Sequence, residues 1–172
     1  RKNDQLTAAL EKVNELEERV AQCSLSDTGQ WTNQNVMFTK ALRDMFPIAK
    51  AILKGALARD ECRGAHFKPA FTMPGVDAEE PADKRRQAEK WCDAFEEKNR
   101  KWLKSTIAEI DKQGEPTLSY EEVDTSLIPP RPRLYGLVGA EVIEEVWKQR
   151  QSAKSGASNG AAAKSAGTVA AS

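Results

Sequence analysis

Histidine is almost missing from this chain: His66 stands alone among 172 residues. Catalysis that needs a histidine base therefore has a single place to sit. Cysteines are three, Cys23, Cys62 and Cys92. They are far apart and odd in number, and no pair has the two-residue spacing of a zinc or iron–sulfur site. They read as reduced thiols of a cytosolic-type compartment. A metal site would need carboxylates alone or cysteines gathered from a distance. Aromatics make up 6% against 30% charged residues, so any core is thin or is completed by another surface. Neither sign of charge is in excess, with 26 basic and 26 acidic side chains. That balance excludes a general nucleic-acid binder, which displaces counterions from phosphate with a basic surplus. No apolar run approaches the ~18 residues that cross a bilayer, so no direct membrane insertion is expected. A signal-peptide pattern and a glycine-rich phosphate or dinucleotide fingerprint are likewise missing. The chain opens on Arg1-Lys2-Asn3-Asp4 without a methionine, which reads as a fragment.

What is present is mainly helical, at a length suited to one domain. Leu6, Leu10, Val13, Leu16 and Val20 recur at three- and four-residue steps and predict a helix from about Asp4 to Ala21, capped by Asn3 or Asp4. After the polar break Ser26-Asp27-Thr28-Gly29, a second helix is expected from Asn33 or Asn35 to Arg59. Its stripe is Phe38, Leu42, Met45, Ala49, Ile52, Leu53, Ala56 and Leu57, and Pro47 should kink it. The two should pack antiparallel. Pro81 suits the first turn of a third, highly charged helix reaching Lys101. It has Ala88, Trp91, Cys92, Phe95 and Trp102 on one side and a solvated charged face. Leu103–Ile110 and Thr117–Val123 predict a small β hairpin around Asp111-Lys112-Gln113-Gly114. Pro129, Pro130 and Pro132 then force an extended course. A short helix is expected within 137–150, with Val142, Ile143, Val146 and Trp147 inward. The Ala/Ser/Gly/Lys stretch 151–172 has almost nothing to bury and reads as a disordered tail.

Chemistry is scarce. Cys62 and His66 lie four apart and would make a nucleophile–base pair on a helix, but Gly64 between them and the lack of an oxyanion-forming loop argue against it. Glu121 and Glu122, adjacent on a strand, point to opposite faces and cannot share a site. By its own residues the segment is not catalytic. Arg63-Gly64-Ala65-His66 is the one purposeful stretch, with charged and titratable groups at a helix end beside a glycine that permits close approach. Its bland explanation has Arg63 on helix-end carbonyls and His66 filling a polar gap. The sharper one makes it an anchor onto a neighbouring domain.

The order of several motifs resembles the C-terminal domain of succinate dehydrogenase and fumarate reductase flavoproteins. They are Cys23-Ser24-Leu25-Ser26-Asp27-Thr28, then Asn35 to Leu42, then Ala58-Arg59-Asp60-Glu61-Cys62-Arg63-Gly64-Ala65-His66. Trp102-Leu103-Lys104-Ser105-Thr106-Ile107-Ala108, Leu118-Ser119-Tyr120 and the run from Val123 to Gly136 follow. Cys62 stands where the family usually has serine, Pro47 is unusual, and 72–101 reads as an insertion with its own helix. L-aspartate oxidase has a related C-terminal domain, though the closing prolines and Arg131 to Gly136 favour the dehydrogenase branch.

The resemblance implies a flavoprotein domain over 1–136, a short helix over 137–150 and a tail over 151–172. It implies a parent subunit that carries FAD outside this segment and oxidises succinate to fumarate. Electrons would pass to an iron–sulfur subunit and, through a membrane anchor, to quinone. The parent would be peripheral on the cytoplasmic face of an inner membrane, as in bacteria. No catalytic, flavin-binding or metal residue carries over. Arg63, Gly64, His66, Arg131 and Arg133 are the candidates for docking on the flavin-binding domain. A stand-alone helical interaction module is the alternative.

Overall fold

The computed structural model describes residues 1–166, with side chains through 154. It is mostly helical: α1 (Asn3–Ala21), α2 (Gln34–Ala58), α3 (Pro81–Trp102) and α4 (Ala140–Ala166), with a hairpin of β1 (Lys104–Ile110) and β2 (Pro116–Glu122) between α3 and α4. The chain divides into two compact units. One comprises Arg1–Thr72 and Trp102–Asp124; the other comprises Met73–Lys101 and the chain from Thr125 onward.

In the first unit, Asn3 meets Asp60 at one end and Glu17 meets Lys50 farther along, so α1 and α2 run antiparallel. The cap at the start of α1 differs from expectation: Lys2 occupies it without a side-chain bond, because the helix begins one residue early. The connection is shaped by local amide chemistry. Asp27 Oδ1 accepts from Gly29 N at 2.8 Å, and Asn33 Nδ2 donates to Asp27 O at 2.9 Å. Asn33 Oδ1 also accepts from Val36 N at 3.3 Å and caps α2. That helix passes through Pro47 unbroken.

The stripe expected on α2 proves to be two arcs. Phe46, Lys50, Leu53 and Leu57, at four- and three-residue steps, form the side that meets α1 and the hairpin, and Phe46, Lys50 and Ala56 are buried. Phe38, Met45 and Ile52 instead lie 68%, 61% and 62% exposed. The displacement follows from Lys50, which sequence periodicity scores as polar and outward. Its amine is buried against Glu17 and Glu115, and Lys54 donates to the second oxygen of Glu115 at 2.9 Å. Burial disfavours charge on Lys50, but the bonds to Glu115 and Glu17 outweigh it and raise its pKa. The same amines hold Glu115 below the usual carboxylate range. This clasp ties α1, α2 and the hairpin together.

The hairpin is antiparallel, pairing Lys104 with Glu122 and Ile110 with Pro116. Asp111 Oδ1 accepts from Gln113 N at 2.9 Å and Glu115 N at 2.8 Å, which sets the expected turn.

In the second unit, Ala88, Trp91 and Cys92 of α3 share a core with Val76 and with Ile143, Val146 and Trp147 of α4. Phe95 stacks on Trp91 and meets Trp147 edge-on, with centroids 5.6 and 5.3 Å away. Trp102, expected on the same face, belongs to the first unit. Part of the charged face of α3 pairs with α4: Arg150 bonds Asp93 at 2.7 Å and Glu89 O at 3.0 Å, and Arg85 bonds Gln149 at 2.7 Å. Gly139 (φ +71) lies where a Cβ would come 2.6 Å from Val76 O, so no side chain fits there. The α4 helix outruns its expected end at 150 and runs to Ala166. Of the expected tail, residues 167–172 lie outside the described residues.

Candidate functional site

The exit of α2 builds the site. Arg59, Glu61 and Arg63 alternate along an extended stretch, and alternation puts them on one side. Glu61 is 1% exposed, and its carboxylate sits between two guanidinium groups. Arg59 Nε donates to Glu61 Oε1 at 2.6 Å; Arg63 Nε bonds both oxygens at 3.1 Å. Arg59 also donates to Trp102 O and, at 3.2 Å, to Lys104 O, while its guanidinium lies 5.9 Å from the Trp102 ring centre. The chain re-enters the first unit under this one side chain.

Arg63 and His66 then close a two-residue turn by exchanging backbone bonds of 2.9 and 3.0 Å. Gly64 takes φ +57, whereas Ala65 keeps the ordinary sign, the pattern of a type II′ turn with glycine first. His66 Nε2 lies 2.8 Å from Arg59 O, which can only accept, so this nitrogen carries the hydrogen. Nδ1 lies 2.9 Å from the Arg1 guanidinium, which can only donate. Both ring nitrogens are thus occupied.

Lys68, 1% exposed, threads back under the helix end. Its amine bonds Leu57 O at 3.1 Å and Asp60 Oδ1 at 2.9 Å, satisfying a carbonyl that the helix cannot. Cys62 Sγ donates to Lys68 O at 3.0 Å and accepts from Lys68 N at 3.3 Å.

Of the residues singled out by sequence, Arg63, Gly64 and His66 come together in this turn. Arg131 and Arg133 are exposed in the second unit. There, Glu144 is held below its ordinary pKa by Lys148 and, more weakly, by the charge of Arg131. Here Lys68 takes the helix-end carbonyl Leu57 O, and Arg63 bonds Glu61. Cys62 and His66 are not a catalytic pair, since the segment is not helical and each bonds elsewhere. Sequence reasoning missed Arg59, Glu61 and Lys68. The alternation of Arg59, Glu61 and Arg63 was a usable signal, whereas nothing in spacing marks Lys68.

Fold and site together define a helical scaffold domain whose charged side chains brace its own backbone. A profile described as the fumarate reductase flavoprotein C-terminus matches residues 1–135, and the chain belongs to that family. It is 35% identical over 136 residues to the succinate dehydrogenase flavoprotein subunit of Bacillus subtilis, covering 78% of this chain and 19% of that protein. To the fumarate reductase flavoprotein subunit of Escherichia coli it is 28% identical over 127 residues, covering 74% and 18%. A solved structure of the FrdA chain of E. coli quinol fumarate reductase superposes with a TM-score of 0.58 at 25% identity, covering 79% of this chain and 20% of that one. The chain thus spans about a fifth of the length of the curated relatives it matches. Among the described residues no helix is long and apolar enough to cross a membrane.

Proposed function

We propose that this segment is the supporting C-terminal domain of an FAD-dependent succinate dehydrogenase or fumarate reductase subunit, docked on the flavin-binding domain through the Arg63–His66 turn. The match over residues 1–135 carries this reading. Flavin would serve the parent subunit as hydride acceptor from succinate or donor to fumarate. The residues described here do not fit its binding. Glu61, Lys68 and His66 are all engaged by internal partners, and the sequence has no dinucleotide fingerprint. The chemistry therefore belongs to the rest of the subunit. Electrons would leave toward an iron–sulfur subunit and, by way of a membrane anchor, quinone, with the subunit peripheral on the cytoplasmic face of a bacterial inner membrane.

In this reading the bracing of Glu61 by Arg59 and Arg63 holds the turn in a fixed shape, so that its outer surface can meet another domain; Arg131 and Arg133, exposed in the second unit, are docking candidates in their own right. Replacing Arg63→Ala and His66→Ala together in the full-length subunit should lower bound flavin and succinate-dependent dye reduction at least several-fold. Unchanged flavin content and turnover would remove the docking role. Oxidation of L-aspartate in place of succinate would move the parent to the aspartate oxidase branch.

A further inference from the structure

Arg1 and His66 lie 65 residues apart in sequence, yet they hold one another at the entry of α1. The backbone nitrogen of Arg1 donates to Phe67 O at 3.0 Å, and its guanidinium reaches Nδ1 of His66 at 2.9 Å and Ala65 O at 3.5 Å. Asn3 Nδ2 adds a bond of 3.3 Å to Asp60 Oδ1. The first helical turn follows at once, with Leu6 N on Lys2 O at 3.0 Å. Residues 1–5 are all exposed, so polar bonds and not an apolar core fasten this end of the helix.

One of those bonds depends on the charge of a ring. Nε2 of His66 carries hydrogen, because Arg59 O at 2.8 Å can only accept. Nδ1 can then accept from Arg1 only while the imidazole is neutral. A second proton would land on Nδ1, turn it from acceptor to donor, and set an imidazolium against a guanidinium that cannot accept. Histidine is the side chain that ordinarily changes charge between about pH 5 and 8, and this chain has no other. The remaining charges of the packed segments are matched among themselves. Glu61 is held by Arg59 and Arg63, and Asp60 takes the amine of Lys68. Asp4 stands in the first turn of α1. Arg1 is the charge that meets the ring.

We propose that Arg1 and His66 form a pH-sensitive latch, closed while the imidazole is neutral and opened by its protonation, which fastens the entry of α1 to the turn. On opening, the ring keeps its bond to Arg59 O and the turn keeps its paired backbone, while the guanidinium swings into solvent. The change is therefore confined to the start of α1. It rests on contacts within this chain and not on the activity of the parent subunit.

Hydrogen exchange in the full-length protein, corrected for the intrinsic dependence of exchange on pH, tests the latch. Between pH 7.5 and pH 5.5 the amides of Leu6 to Leu10 should lose protection about fivefold or more, while those of the hairpin change less than about twofold. His66→Gln and Arg1→Gln should each abolish that step, the second with the histidine still in place. Unchanged protection of Leu6 to Leu10 across this range would overturn the proposal. So would an equal loss in both variants, since another group would then be titrating, or an equal loss in the hairpin, which would mark general loosening in acid.

Discussion

Cys62 shows what a single side chain contributes at the helix exit. Its thiol both donates to and accepts from Lys68, spanning a loop that would otherwise leave two backbone groups unsatisfied. A serine hydroxyl can make the same pair of bonds. Cys62→Ser should therefore hold stability within about 0.5 kcal/mol, while Cys62→Val, which can make neither, should cost about 1–2 kcal/mol in chemical denaturation. Equal losses in both variants would show that packing alone matters there. At this scale the sequence is legible where a residue type is rare or its conformation special. Gly64 between Arg63 and His66 could be read as a tight approach, and it takes φ +57. Lys68 could not be foreseen, because a lysine is ordinarily solvated and nothing local says that Leu57 O will lie within its reach.

Among the elements, the clasp of Lys50, Lys54, Glu17 and Glu115 makes stability depend on pH in a stated direction. The folded pKa of Glu115 is depressed, chiefly by its bond from Lys50 and then by Lys54. Its contribution is thus complete above the ordinary glutamate value and is lost as pH falls through the folded value. Lys50 is the mirror case: its pKa is raised, so its contribution is complete below the ordinary lysine value and lost as pH climbs past the raised one. Glu115→Gln should cost about 1 kcal/mol near neutrality, and the two proteins should draw together only as pH falls beneath the ordinary glutamate range and through the depressed folded value. Unfolding midpoints that stay equally separated from pH 7 to pH 3 would remove Glu115 from this role. The same clasp explains why the faces of α2 were harder to read than its ends. Asn33 announces the start of the helix, but periodicity cannot tell which of two adjacent apolar arcs is covered when a buried lysine sits at the centre of the packed one.

At the scale of the whole molecule, two units are woven from one chain, and of the three crossings the first and the last are visible in the sequence as punctuation, whereas the one at Lys101–Trp102 is not. Pro74 and Gly75 follow the first exit, while Pro129, Pro130 and Pro132 follow the last. The core of the second unit depends on segments far apart in sequence, with Cys92 and Ile143 both fully buried. Burial pushes the Cys92 thiol above its ordinary pKa, against the opposing charge of Arg150, whereas Cys23 is exposed. Alkylation of the native chain should therefore modify Cys23 first and leave Cys92 untouched. Ending the chain before Ala140 should expose Cys92 to reagent within the same period. Resistance of Cys92 in the shortened chain would mean that α3 is covered without α4. This pairing has a bearing on biogenesis. The strand of chain matched to the family stops at residue 135, so the cover for α3 comes from the stretch translated afterwards. At roughly 5–20 residues per second, Trp91 and Phe95 emerge seconds before the partner that will shield them. For that interval the nascent polypeptide carries a greasy, unshielded ridge.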